Sequence, residues 1–318
     1  MRTENTPKNR SDLSRFNRKV WQAGLLALAA HLIAGFFADG RTDPYYIKCS
    51  TPKQAHLIIG TSRAAQGIDP SLLGGNEFSG TYYNFAFAID RTPFGPGYTN
   101  AIESKIDRYG PWSINHLIIA VDPWSISSEF VDGVEQFPEE DWYFNDFLSV
   151  SLEPNYDYLV KHYHTGWGHL ITDHLTPRNP QETNIHDDGF WEKQVPTDLQ
   201  SCTYREKQMM SYYSFVLYPK RKISAVRMAS LRSLIGDLQG PCAITLVRMP
   251  VGKAMYKLEN MLCPDFDQRM DSLAEEFHVT YIPFQEHAHE LQYVDGNHLS
   301  PEGAADFSKK LKSVLEGR

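Results

Sequence analysis

Apolar residues fill the runs Ala55–Gly60, His116–Val121 and Ala243–Arg248 with almost no polar alternation. A strand that faces water on one side alternates, whereas one covered on both faces does not; such strands belong to parallel sheets. Thr81–Ala88 adds a short strand with its turn, and Val279–Ile282 a fifth. Pro93–Tyr98 breaks the chain, and Asn100–Tyr109 reads as a helix. The last segment is the best-defined helix, with Ser300 as its cap, Pro301 in its first turn and Gly317 beyond its end. Ala304, Phe307, Leu311, Val314 and Leu315 recur at helical spacing and give it one face to bury. Strands alternating with helices predict the α/β class, a three-layer α/β/α sandwich around a parallel sheet.

The N-terminus reads differently. Residues 1–20 hold six basic side chains (Arg2, Lys8, Arg10, Arg15, Arg18, Lys19) against Glu4 and Asp12, a net +4. With −8 over all 318 residues, the remainder carries −12. An acidic body excludes nucleic acid as an expected partner, because phosphate binding needs a basic face. The basic head leads into an uncharged stretch, Val20–Ala38. Its roughly 18–20 residues are near the lower limit for a bilayer-spanning helix. Positive charge before it predicts a cytoplasmic N-terminus in the cell membrane, with everything after Asp39 extracytoplasmic. A cleaved signal peptide and a buried helix are the rival readings. An uncleaved anchor is expected because no small-x-small site follows. The chain thus divides into a basic tail (1–19), a transmembrane anchor (20–38), a connector (39–54) with Pro44 and Pro52, and one domain (55–318).

Residues 125–215 interrupt the strand–helix rhythm. They are rich in aromatics (Trp142, Tyr143, Phe144, Tyr156, Tyr158, Tyr163, Trp167, Phe190, Trp191) and follow Trp124. A structureless loop of that length is improbable, so a partly helical insertion packed over the strand ends is expected. Its aromatics would form a small core of their own or stack on sugar rings. His162, His164, His169, His174 and His186 match no firm ligand spacing, and no metal is expected. Cys49, Cys202, Cys242 and Cys263 include no C-x-x-C pair and leave the disulfide pattern open.

Functional residues of parallel α/β sheets collect at the carboxyl ends of the strands. Ser62 follows the first strand there, and Asp122 follows the third. Asp295 and His298 share the loop before the last helix. If the fold joins the two ends of the chain, Ser62, His298 and Asp295 have the types required of a nucleophile, its base and an orienting carboxylate. Arg248, just past the fourth strand, would bind an anionic substrate group or form a salt bridge on the rim.

Gly60-Thr61-Ser62-Arg63 and Asp295-x-x-His298 resemble the first and last blocks of the SGNH (GDSL-like) hydrolase superfamily. The likeness is to its membrane-anchored branch, the proteins of polysaccharide O-acetylation and D-alanyl transfer. It covers about residues 50–125 and 240–318. It implies a flavodoxin-like sheet, with Ser62 as nucleophile, His298 as base and Asp295 as its partner. It also implies an acylated carbohydrate polymer as substrate, with acetyl the expected group, transferred or removed, and a polytopic membrane acyltransferase as partner. No cofactor is expected. Two blocks depart from the family pattern. Asn84-Phe85-Ala86 stands where the family has asparagine-x-glycine, and backbone donors near Asn84 and Ala86 are expected at the oxyanion. Ala120-Val121-Asp122-Pro123 stands where the family has a glycine and an asparagine donor. Asp122 is therefore expected to pair with Arg63 and fix the serine turn, while a lid residue supplies the missing donor. These departures also support an alternative, a non-catalytic glycan-binding or assembly subunit.

Overall fold

The apolar runs pair side by side in the computed structural model, which describes residues 8–40, 42–43, 45–74, 81–107, 115–141, 143–175 and 184–317. Five strands form one wholly parallel sheet: β1 (His56–Ile59), β2 (Tyr82–Asn84), β3 (Asn115–Val121), β4 (Cys242–Arg248) and β5 (Thr280–Pro283). Their order across the sheet is β5-β4-β3-β1-β2. The helices around it are α1 (Lys8–Gly35), α2 (Ser62–Gly67), α3 (Pro96–Lys105), α4 (Leu199–Tyr212), α5 (Ala225–Leu238), α6 (Lys253–Leu262), α7 (Phe266–Phe277) and α8 (Pro301–Glu316).

Every residue of β1 and β3 is buried, and successive side chains enter opposite cores. Leu57, Ile59, Leu117, Ile119, Ile244 and Leu246 pack with apolar residues of α3, α5 and α7. Ile58, Ile118, Ala120, Val247 and Ile282 pack with those of α2 and α8. Covering both faces removes the need for alternation, which is why these runs are apolar throughout. The last helix forms as expected: the Ser300 hydroxyl accepts the Gly303 N–H at 3.0 Å, and Ala304, Phe307 and Leu311 are buried.

Boundaries moved where local chemistry dictates. α3 begins at Pro96, whose fixed φ suits a first helical position, so the expected break is a helix start. β2 stops at Asn84 because the Asn84 side chain turns back to accept the Ala86 N–H at 3.1 Å. Tyr109, Pro44 and Trp142 lie outside the described residues.

The stretch expected to be a membrane anchor forms the second half of α1. Among the described residues no helix is long and apolar enough to cross a membrane. The uncharged part of α1, Val20–Gly35, is roughly 16 residues and about 24 Å long, against a hydrocarbon core of ~30 Å. Its end is held by protein: Ala34 is buried, and Tyr156 Oη donates to the Leu32 carbonyl at 2.6 Å. Gly35 sits where a Cβ would lie 2.3 Å from the Tyr156 ring. The C-terminal end of α1 thus docks on the body.

The insertion is partly helical and also carries strands. Ser127–Val131 pairs antiparallel with Val134–Gln136 and with Arg221–Ile223. Tyr143, Phe144 and Tyr158 do not form a separate core; they join Phe85, Phe87 and Tyr98 in the cluster beneath the main sheet. The far end of the insertion does reach the strand ends, where Trp124 packs edge-on to Tyr213 at 4.7 Å.

Two histidines are built into the sheet. His116 is buried, with Nδ1 2.6 Å from Tyr82 Oη and Nε2 2.9 Å from Thr245 Oγ1. Burial, aided by nearby His56, pulls its pKa down to about 3. In the unfolded chain the same group titrates near ~6.5. Between those values the unfolded state binds the extra proton, so this contribution is whole above pH 6.5 and is lost as pH falls toward 3. Roughly 5 kcal/mol is at stake, most of it lost between about pH 6.5 and pH 4. Urea unfolding from pH 7 to pH 4 is expected to show this loss, and His116→Gln to flatten it. An equal slope in both proteins would count against it.

Candidate active site

In the order β5-β4-β3-β1-β2, the chain leaves β1 first to one side and then to the other. The crevice of an open α/β sheet lies at that switch, beyond the strands' carboxyl ends. Ser62 and Asp122, which follow β1 and β3, both stand there.

Glycine is required at the turn. Gly60 has φ +142°, and a Cβ on it would lie 2.8 Å from both the Cβ and the carbonyl oxygen of Ala120. Its N–H donates to Tyr98 Oη at 3.1 Å, and that hydroxyl donates to the Phe85 carbonyl at 2.9 Å. Thr61 is extended, its hydroxyl donating to Asp122 Oδ2 at 3.1 Å. Ser62 then opens α2, and a first-turn N–H has no acceptor within its own helix.

The partner loop arrives from the other end of the chain. Asp295 Oδ1 accepts the backbone N–H groups of Asn297 (3.0 Å) and His298 (2.7 Å), curling the loop around its own carboxylate. Gly296 takes φ +72° at the bend, and its carbonyl accepts the Gly252 N–H at 2.7 Å. The second oxygen, Oδ2, is 2.9 Å from His298 Nδ1, and His298 Nε2 is 2.8 Å from Ser62 Oγ. Ser62, His298 and Asp295 are 9%, 7% and 4% exposed. Burial alone would raise the Asp295 pKa. The charge and ring hydrogen bond of His298, with the two backbone N–H groups, outweigh it and hold the carboxyl below its ordinary value. An ionised Asp295 fixes the proton on Nδ1, which leaves Nε2 free to accept from the serine hydroxyl.

The other expected site residues serve the scaffold. The N–H groups around Asn84 and Ala86 are all engaged: Asn84 with the Asp188 carbonyl (2.8 Å), Phe85 with Ile58 (2.7 Å), Ala86 with Asn84 Oδ1 and Phe87 with Gly60 (3.3 Å). The Asn84 amide donates to the carbonyls of Ala64 (2.8 Å) and Ile68 (2.9 Å), tying α2 to β2. Buried Lys48 donates to the carbonyls of Asn84 and Ala86 at 2.8 and 2.7 Å. The expected oxyanion donors are therefore internal bonds. Arg248 is buried rather than open on the rim, held by Glu259 (3.0 Å) and Asp267 (2.7 Å). Arg63 pairs chiefly with Glu259 at 2.5 Å, an ion contact rather than an aligned hydrogen bond. Its contact with Asp122 is only 3.9 Å. Asp122 is committed to Thr61 and to the Ser125 N–H at 2.9 Å.

Two residues escaped the sequence. Glu259 shares the buried face of α6 with Met255 and Leu258, and an acid on an apolar stripe was the available signal. Asn297 accepts two hydrogen bonds from Arg63, and its Nδ2 is 3.3 Å from His298 Nε2. In the sequence it reads only as a turn residue. Ser62 and His298 line none of four hollows with volumes between 260 and 850 Å³. One of about 480 Å³ borders the Asp295–His298 loop through Gly252. His162, His174 and His186 contact Asp146, Asp39 and Glu192 separately. No cluster of three metal-ligating side chains occurs among the described residues. Comparison with protein-family models and with curated proteins matches this chain to no family and to no relative.

Proposed function

We propose that the chain is a serine acyl-transfer enzyme acting on O-acyl groups, acetyl among them, of a carbohydrate polymer. The observation that carries this reading is the hydrogen-bonded series Ser62–His298–Asp295, joined across 236 residues of sequence. Its order and its protonation pattern are those an activated serine needs. Ser62 Oγ attacks the acyl carbonyl while its proton passes to His298 Nε2, and Asp295 offsets the imidazolium charge. The same proton is returned to the departing alkoxide. Water or a sugar hydroxyl then resolves the acyl-enzyme, giving hydrolysis or transfer. The carbohydrate class rests on the resemblance of the two sequence blocks, as does a membrane acyltransferase as acyl donor.

The test is labelling with a fluorophosphonate probe, read by intact mass. One adduct on the wild type and none on Ser62→Ala is expected. A folded wild type that takes no label would favour the second reading, a glycan-binding or assembly subunit. That reading has its own support, since the donors near Asn84 are spent internally and none of the four hollows above is lined by Ser62.

Asp122 gives a further prediction. One of its oxygens holds the serine turn through Thr61 and the other holds its own loop through the Ser125 N–H, so Asp122→Asn is expected to lower aryl-acetate turnover by less than ~10-fold. A large gain would mean that its charge had opposed the oxyanion.

A further inference from the structure

We propose that Asn297 supplies the side-chain hydrogen bond to the acyl oxyanion, with Arg63 fixing which way its amide faces. The inference rests on the acyl-transfer reading above and adds to it the donor that Asn84–Ala86 does not provide.

Chemistry sets the amide's orientation. Arg63 Nε and Nη2 both donate to Asn297 Oδ1, at 3.0 and 2.7 Å. A guanidinium has no acceptor, so a flipped amide would set N–H against N–H. Arg63 is held in turn by Glu259 at 2.5 Å, with all three side chains buried. The NH₂ group therefore faces the triad, 3.3 Å from the same His298 Nε2 that lies 2.8 Å from Ser62 Oγ.

At rest, the Nε2 lone pair faces two donors, the serine hydroxyl and the Asn297 amide. During attack the Oγ–C bond forms, the carbonyl π pair moves onto oxygen, and the Oγ proton moves to Nε2. Protonated Nε2 accepts nothing further. The amide loses its acceptor at the moment an oxyanion appears beside it, so its hydrogen bond strengthens in the transition state rather than in the ground state.

The experiment is steady-state kinetics on an aryl acetate for wild type, Ser62→Ala, Asn297→Ala and Asn297→Asp, with thermal midpoints for each. Aspartate keeps the oxygen that Arg63 clamps but has no N–H. Both Asn297 variants are expected to lose about 10²–10³-fold in kcat with KM within about threefold, and the aspartate variant to melt near wild type. Activity retained in Asn297→Asp would reduce Asn297 to a positioning residue and overturn the proposal, while leaving Ser62 as nucleophile. So would failure of both variants to fold, which would make the residue structural first. A wild type as inert as Ser62→Ala would remove the acyl-transfer reading and this donor together.

Discussion

Ser62→Ala is expected to lower kcat on an aryl acetate by about 10⁴–10⁶, and His298→Ala by a similar factor. The double variant should be scarcely worse than either single one, because the hydroxyl and the imidazole act as one unit through their 2.8 Å contact. Asp295→Asn probes a different property. Its amide would present an N–H to His298 Nδ1, forcing the ring proton onto Nε2, where it can no longer accept from Ser62. A loss of about 10⁴ follows without change of shape. Asparagine also keeps an oxygen for the N–H groups of Asn297 and His298, so the loop should persist. Stopped-time assays on purified variants of matched melting temperature would measure this. Additive losses in the Ser62/His298 double variant would argue that the two residues do not cooperate.

The sheet and the triad were legible for a common reason: each is written in short stretches. Leu57-Ile58-Ile59 reads as a strand covered on both faces, and the glycine after it marks the turn that presents Ser62. Asp295 and His298 lie three apart in front of a Ser300 cap, so their shared loop needed no tertiary information. What stayed hidden was tertiary. Nothing in the sequence around Asn84 says whether its amide faces substrate or bonds to Ala64 and Ile68. Arg248 closes β4 at the strand end, yet a helix supplies Glu259 and pairs with it. Nor does the N-terminal apolar stretch say that Tyr156, 124 residues beyond Leu32, will meet its end. Short-range patterns fix which backbone forms, while long side chains choose among partners that only the finished fold brings near.

Glu259→Ala should be the costliest substitution for stability. The residue is fully buried, with one oxygen 2.5 Å from Arg63 Nη1 and the other 3.0 Å from Arg248 Nη2. Burial works against both guanidinium charges, and Glu259 is the first group to offset it, raising the pKa of each above its ordinary value. Without the carboxylate, Arg248 keeps Asp267, but Arg63 retains only the neutral Asn297 and Asp122 at 3.9 Å. Removing one partner of a buried ion pair costs about 3–5 kcal/mol, mostly as the desolvation of the charge left behind. For a domain of this size that corresponds to a fall in Tm of roughly 10 °C. Arg63→Met in the same background removes the stranded cation, so the double variant should recover part of the loss. Calorimetry on the two single variants and the double one would decide it. If the double variant melts below Glu259→Ala by the full cost of Arg63→Met alone, the two residues are energetically independent, and the clamp behind Asn297 does not exist.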